Sequence, residues 1–141
     1  GNERHRGGMS KCLNRVTLIG NIGKQPELRT TPSGQSVLNF SLATSDEWLD
    51  KKSDERKSST EWHKIVIWGK LAESLYPILS QSKRLFIEGK LQTRAGEKDG
   101  QKRYSTEIQA ERVILLSHDR DVEMMAEAWV VADSADLSRV R

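Results

Sequence analysis

The sequence predicts an all-β domain with one helix, in which five antiparallel strands close into a barrel and the helix lies between strands three and four. Three observations predict this class: apolar and polar residues alternate in several segments, residues 70–81 have helical spacing, and the connections between strands are short. At 141 residues, the chain is long enough for one such domain and too short for two ordinary ones.

The first three strands are predicted from β-branched and alternating residues. "RVTLIGNI" at residues 15–22 stops at Gly23, and residues 26–31 form a short continuation before the turn "TPSG". Residues 35–44 alternate, so that Leu38, Phe40 and Leu42 face one way and the polar residues the other. The third strand is "STEWHKIVIWGK" at residues 59–70, after a charged stretch, 45–59, that we expect to be a mobile hairpin loop.

The second half of the domain supplies the helix and two more strands. Pro77 should break or shorten the helix of residues 70–81. The fourth strand, 83–94, should bury Leu85, Ile87 and Leu91 and turn Phe86 outward with the charged residues; 95–102 is a hairpin tip and 103–116 the fifth strand. This order is that of the oligonucleotide-binding (OB) barrel, in which a helix plugs the barrel between strands three and four.

The two ends of the chain differ from the body. Residues 1–8 are polar and are interpreted as a leftover tag or a disordered leader, residues 9–117 as the barrel domain, and residues 118–141 as a tail with a short amphipathic helix around Trp129. The tail carries six acidic residues and three arginines, which leaves a net charge of +6 on residues 1–117. A basic body favours a polyanionic partner, although charge imbalances of this size are usually only solvated surface.

The composition also limits the environment and the chemistry. The lone Cys12 cannot form an internal disulfide, and no apolar run is long enough to span a bilayer, so we expect a soluble protein in a reducing compartment with no membrane partner. "GNIG" at residues 20–23 lacks the ending of a phosphate-binding loop, and the scattered histidines predict no metal site. We therefore predict no enzyme activity, no cofactor and no metal.

Alternation places two tryptophans on one side of the third strand. One face of the strand carries Trp62, Lys64, Val66 and Trp68. The opposite face carries Ile65 and Ile67, and these aliphatic residues favour burial of the face on which they lie. Two indoles and a lysine would then lie on the outer surface of the sheet. They either cover another element or a partner subunit, or form a platform on which the bases of a single strand stack.

Polar and basic residues are predicted to surround the indoles. Asn39 and Ser41 lie on the polar face of the neighbouring strand, and four cations are candidates for phosphate contacts: Arg29, Lys70, Lys90 and Arg94. Each cation alone is weak evidence, because charged residues on an outer face are usually just solvated. Their combination with aromatic residues favours nucleic-acid binding.

Four blocks of the chain resemble the bacterial and mitochondrial single-stranded DNA-binding proteins. They are "LNRVTLIGNIGKQPELR" at 13–29, "FSLATSDEW" at 40–48, "TEWHKIVIWGKLAE" at 60–73 and "IEGKLQTR" at 87–94, and the resemblance covers residues 9–117. It implies an OB barrel, usually a homotetramer, that binds and protects single-stranded DNA without sequence preference in replication, recombination and repair. It also implies the bacterial cytoplasm, in association with the nucleoid, or the mitochondrial matrix. The competing interpretation is an RNA-binding or primosome-type module on the same barrel.

The resemblance implies roles for individual residues. The stacking aromatics fall on Trp48, Trp62 and Trp68, and further backbone-contacting cations include Lys64. His63 matches a histidine that the family places at a subunit interface.

Two departures from the family pattern stand out. A tryptophan that relatives often carry after "TR" is replaced by Ala95 and Gly96, which predicts one fewer stacking site. The family's acidic tail tip, which recruits replication and repair proteins, is absent from the final residues, so recruitment of those proteins by the usual peptide is not expected.

Overall fold

A computed structural model describes residues 11–79 and 83–116. The predicted leader at 1–8 and the predicted tail at 118–141, with its helix around Trp129, lie outside these residues. The elements are, in chain order, β1 (Val16–Ile22), β2 (Glu27–Thr30), β3 (Ser36–Leu49), β4 (Arg56–Trp68), α1 (Gly69–Leu75), β5 (Arg84–Lys98) and β6 (Gln101–Leu116).

Five strands close into a barrel, as the sequence predicts. They follow one another in the order β1-β5-β6-β4-β3, β1 also pairs with β3, and the short β2 adds to the outer edge of β3. The prediction of antiparallel pairing throughout is wrong at one place, because β4 and β6 run parallel, with Ile65 opposite Ile108. A closed ring with an odd number of strands cannot alternate in direction all the way round, so one neighbouring pair must be parallel.

The barrel interior is filled by aliphatic side chains from every barrel strand. Leu38 and Leu42 of β3, Ile67 of β4, and Leu85 and Ile87 of β5 are all fully buried. The alternation predicted for β3 is thus confirmed. Side chains with no accessible surface contribute the largest hydrophobic stabilisation, about 1.5–3 kcal/mol each.

Helix α1 packs against the core and is short, as Pro77 predicts. Its buried residues are Ala72 and Leu75, and the following Leu79 joins the same core. At the C-cap, the Tyr76 N–H donates to the Ala72 carbonyl oxygen (3.0 Å), immediately before the proline that lacks a backbone donor.

The predicted loop at residues 45–59 is instead mostly strand. β3 and β4 pair without interruption from Val37 opposite Trp68 to Leu49 opposite Arg56, and only residues 50–55 turn. This hairpin extends beyond the barrel and buries no core, so its strands carry the polar residues typical of a loop. The prediction was wrong because cross-strand hydrogen bonds maintain the ribbon without a buried apolar face.

The turn of this hairpin is organised by Asp50. Its carboxylate accepts hydrogen bonds from Lys57 Nζ (3.1 Å), the Lys52 backbone N–H (3.1 Å) and the Ser53 hydroxyl (3.0 Å). These groups stabilise the charged carboxylate, and the bond from Lys57 is the main reason that the pKa of Asp50 lies below its ordinary value of 3.8.

The β5–β6 hairpin is likewise longer than predicted. The strands reach Lys98 and Gln101, and only Asp99 and Gly100 form the turn, both with positive φ (55° and 77°). Two central residues with positive φ are typical of the tight turn that suits the twist of a two-stranded ribbon.

The β5–β6 pair contains a bulge, and β5 continues beyond the barrel. The register shifts at Glu88/Gly89, because Glu111 is the extra residue opposite them. Leu91, predicted to be buried, is 49% exposed because β5 has left the barrel there. Phe86 lies on the outer face, as predicted, but it is buried there in a row with Ile19 and Ile114.

Candidate nucleic-acid interface

The outer face of β4 carries the predicted pattern. Ile65 and Ile67 are buried in the barrel, which leaves Trp62 and Trp68 on the opposite face. Trp62 is 59% exposed, and Trp68 is half-buried. On β3, the residues directly opposite this face of β4 are Val37, Asn39, Ser41 and Ala43.

A groove of about 390 Å³ lies on the same outer face as these indoles, although neither indole lines it. Five of the residues predicted for the site line it together: Arg29, Asn39, Ser41, Lys64 and Arg94. Its floor includes Val66, an outward-facing but buried residue, which gives the groove an apolar base below a polar rim. An apolar floor with several amides, hydroxyls and cations suits a base and its phosphate together.

Three of the four cations that line the groove have a partner on the protein. Lys64 Nζ donates to Ser105 Oγ (3.1 Å), the Arg29 guanidinium contacts Glu27 Oε1 (2.7 Å), and Arg94 Nε lies 3.5 Å from Glu107 Oε1. Both arginine side chains are more than half exposed. The Arg29–Glu27 pair is exposed on both sides, and exposed ion pairs contribute roughly 0–1 kcal/mol, so a phosphate group can replace the Glu27 carboxylate at little cost.

Arg94 also joins the groove to the aromatic residues. Its guanidinium carbon lies 5.6 Å from the centre of the Trp68 ring, within the range of a cation–π contact. A base that stacks on Trp68 must therefore share the ring with Arg94 or displace it.

The Trp62 ring lies against the backbone of Gly23. A side-chain carbon at Gly23 would overlap Cζ3 of this indole and lie 2.7 Å from Cη2. Gly23 itself is fixed by a hydrogen bond from its N–H to the Ser41 carbonyl oxygen (2.9 Å). Because Gly23 has no side chain, the Trp62 ring can pack directly against its backbone.

Besides the two indoles of β4, three residues predicted for DNA binding lie outside the groove lining. Trp48 is 47% exposed on the β3–β4 hairpin, and its register opposite Lys57 places it on the ribbon face opposite to that of Trp62. Lys70 is exposed on α1. Lys90 lines a different hollow with Asn14, whose side chain bonds the backbone of Leu91.

His63, the predicted interface residue, is half-buried on the inward-facing side of β4. Its Nε2 and the Thr44 hydroxyl share a hydrogen bond of 2.9 Å. This bond fixes the ring and gives the histidine a partner within its own chain.

Sequence reasoning missed three charged residues of the groove: Lys24, Glu27 and Glu107. Lys24 follows the end of β1, and Glu107 reaches the groove only through the β6 register that the bulge sets. In the sequence, Glu27 and Glu107 look like solvated surface residues. Their place in the groove follows only from the pairing of β2 and β6 with the neighbouring strands.

Among residues 11–79 and 83–116, no three His, Cys, Asp or Glu side chains lie close enough together to hold a metal ion. Within the same residues, no helix has both the length and the apolar character needed to cross a membrane.

A closed five-stranded barrel with a short helix after its third long strand, and with indoles beside a cationic groove, defines an oligonucleotide-binding barrel. Residues 13–116 match the single-strand binding protein family, and the chain belongs to that family.

The solved structures that resemble the chain include two single-stranded DNA-binding proteins. One is a deletion mutant of the single-stranded DNA binding protein from Thermus aquaticus. Its sequence is 33% identical to this chain, its TM-score is 0.65, and the match covers 76% of this chain and 52% of the Thermus chain. The other is the Plasmodium falciparum SSB in complex with ssDNA: 33% identity, TM-score 0.67, over 77% of this chain and 98% of that one. The match thus spans about half the length of the Thermus protein.

Proposed function

We propose that this protein binds and protects single-stranded DNA without sequence preference. Bases stack on Trp62, Trp68 and Trp48, and the cations of the groove contact phosphates. The observation that carries the proposal is the position of the 59% exposed Trp62 ring on the same outer face as the cationic groove. Every base has a π-face, so such a surface grips unpaired strands whatever their sequence.

The similarity to the Plasmodium SSB, which is described with bound ssDNA, supports the same ligand here. We extend the proposal to roles in replication, recombination and repair and to a homotetramer with His63 at a subunit contact. The proposed compartment is the bacterial cytoplasm, or the mitochondrial matrix. The proposal includes no catalytic step.

The test is a titration of labelled poly(dT), poly(U) and duplex DNA, followed by anisotropy, with Trp62→Ala and Tyr76→Ala compared. Tyr76 is a matched control because it is an exposed aromatic outside the groove. Tight binding to poly(dT), weak binding to duplex and a loss of about 1–3 kcal/mol in Trp62→Ala alone are expected. Preference for poly(U) would instead favour an RNA-binding module, and unchanged affinity in a folded Trp62→Ala would exclude the stacking surface.

Salt dependence provides a second readout. Each phosphate that a groove cation neutralises should contribute about 0.7 to the slope of log K against log salt concentration. A binding constant that does not change with salt would contradict the phosphate contacts.

A further inference from the structure

Two arginines of the groove pair with glutamates in different ways. Glu27 Oε1 accepts from both Nε (2.9 Å) and Nη2 (2.7 Å) of Arg29, and both side chains of this pair are more than half exposed. Glu107 Oε1 lies 3.5 Å from Nε of Arg94, and the Glu107 side chain is only 13% exposed. The first carboxylate is thus open to water, whereas the second is largely enclosed by the protein.

Glu107 is enclosed because it lies on the middle strand of three. β6 runs between β4 and β5, and the next residue, Ile108, is buried in the barrel, which turns Glu107 outward. Arg94 of β5 lies diagonally across from Glu107 on the same face. Among the described residues, Arg94 alone pairs with this carboxylate, whereas Lys64 of the groove donates to Ser105 Oγ (3.1 Å).

The two ion pairs should respond differently to a phosphate. When an exposed carboxylate such as that of Glu27 loses its arginine, water solvates it, and the exchange costs little. A carboxylate with little access to water has no such replacement, so separating Glu107 from its cation is unfavourable. We therefore expect Arg94 to keep its contact with Glu107 when a strand binds.

Two contacts then fix the direction of the Arg94 side chain. Glu107 lies against Nε, on the edge of the guanidinium, and the centre of the Trp68 ring is 5.6 Å from the guanidinium carbon. The Arg94 side chain is still 52% exposed, which leaves the Nη donors at its tip for a phosphate. A side chain that is already ordered loses less conformational entropy on binding.

We propose that Glu107 is a positioning residue for DNA binding, which holds Arg94 in the orientation in which Arg94 meets a phosphate. Glu27, by contrast, competes with phosphate for Arg29. A base on Trp68 then shares the ring with Arg94 and does not displace it. This inference rests on the proposed function and assigns opposite roles to two glutamates of the same groove.

The test compares Glu107→Asp with Glu27→Asp in the full chain, by anisotropy of a labelled dT oligonucleotide. Both variants keep the charge of the groove and shorten the side chain by one methylene group, so a difference between them reports the contact with the arginine. Glu107→Asp should weaken binding about twofold to tenfold, the cost of ordering one long side chain. Glu27→Asp should bind like the parent protein or more tightly.

A double variant shows whether the effect passes through Arg94. Once Arg94 is replaced by alanine, Glu107→Asp should leave the remaining affinity unchanged. A loss of the same size without Arg94 would show that Glu107 acts in another way and would overturn the proposal. Thermal unfolding of each variant monitors the barrel.

Glu107→Gln, which keeps the size of the side chain, provides a second measure if the shorter side chain disturbs the fold. Arg94→Ala should cost less affinity in the Glu107→Gln background than in the parent, because an uncharged partner holds the arginine less firmly. Competition between Glu107 and phosphate would give the opposite order and would overturn the proposal.

The outcomes separate this inference from the proposed function. If the parent binds the dT oligonucleotide and Glu107→Asp binds it as tightly, the positioning role fails and the groove proposal stands. If the parent protein does not bind the oligonucleotide, the proposed function fails and the inference fails with it.

Discussion

Gly23→Ala should weaken DNA binding by moving the Trp62 ring, although Gly23 carries no side chain that could contact a ligand. The new methyl carbon would overlap Cζ3 of the indole, and Cη2 would have to retreat from 2.7 Å to the ordinary 3.4 Å or more. Gly23 has no positive φ, so alanine fits its backbone. Because the ring is 59% exposed, it can swing outward at a cost of about 0.5–1.5 kcal/mol.

The expected loss of affinity is limited by the single stack that Trp62 makes, at most about 1–3 kcal/mol. The assay measures anisotropy of a labelled dT oligonucleotide with Gly23→Ala, Trp62→Ala and the double variant, and thermal unfolding monitors the fold. In the Trp62→Ala background, Gly23→Ala should have no further effect, because the ring that it displaces is gone. A full Gly23→Ala effect in that background, or parental affinity in the single variant, would refute the reasoning.

Three further predictions concern charge and assembly. Glu27→Gln should tighten binding roughly twofold to fivefold at low salt, because Arg29 loses the carboxylate that competes with phosphate; Glu73→Gln on α1 is the control of equal charge, measured by the same anisotropy assay. The pKa of Asp50 should lie below 3.8 in an NMR titration, so the contribution of this carboxylate to hairpin stability is present above about pH 4 and is lost as the pH falls through the lowered value. His63→Tyr should shift the assembly toward monomer in sedimentation, since a larger ring does not fit at the proposed contact.

Each of these predictions has a contrary result. Equal changes in Glu27→Gln and Glu73→Gln would indicate a general charge effect instead of competition in the groove. A measured pKa of Asp50 at or above 3.8 would show that the hydrogen bonds of the turn do not stabilise its carboxylate in solution. A His63→Tyr variant that stays assembled at low concentration would remove this residue from the interface.

The sequence predicted the barrel because strands with one buried face show alternation. Leu38, Phe40 and Leu42 followed that pattern, and Pro77 predicted the end of the helix. The hairpin extensions were missed because a two-stranded ribbon outside the barrel needs no apolar face. Leu91 was misplaced for the same reason, since its position on β5 has passed the end of the core.

The groove was predicted only in part, because register decides which charged residues meet. Lys64 and Ser41 are opposite each other on β4 and β3, and local alternation sufficed to place them on one face. Glu107 and Arg94 meet across the β5–β6 pair, in a register that follows a bulge. No local sequence pattern predicts that bulge. Lys90 looked equivalent to Arg94 in sequence, but it lies nearer the barrel, in the hollow beside Asn14.

The two hairpin extensions have a consequence for engineering. Their residues contribute backbone pairing but no interior side chains, so their opening can be separated from unfolding of the barrel. A designer could exchange either arm for one of different length or charge and keep the same stable body beneath it. The reach of the protein along a bound strand could then be adjusted without rebuilding its centre.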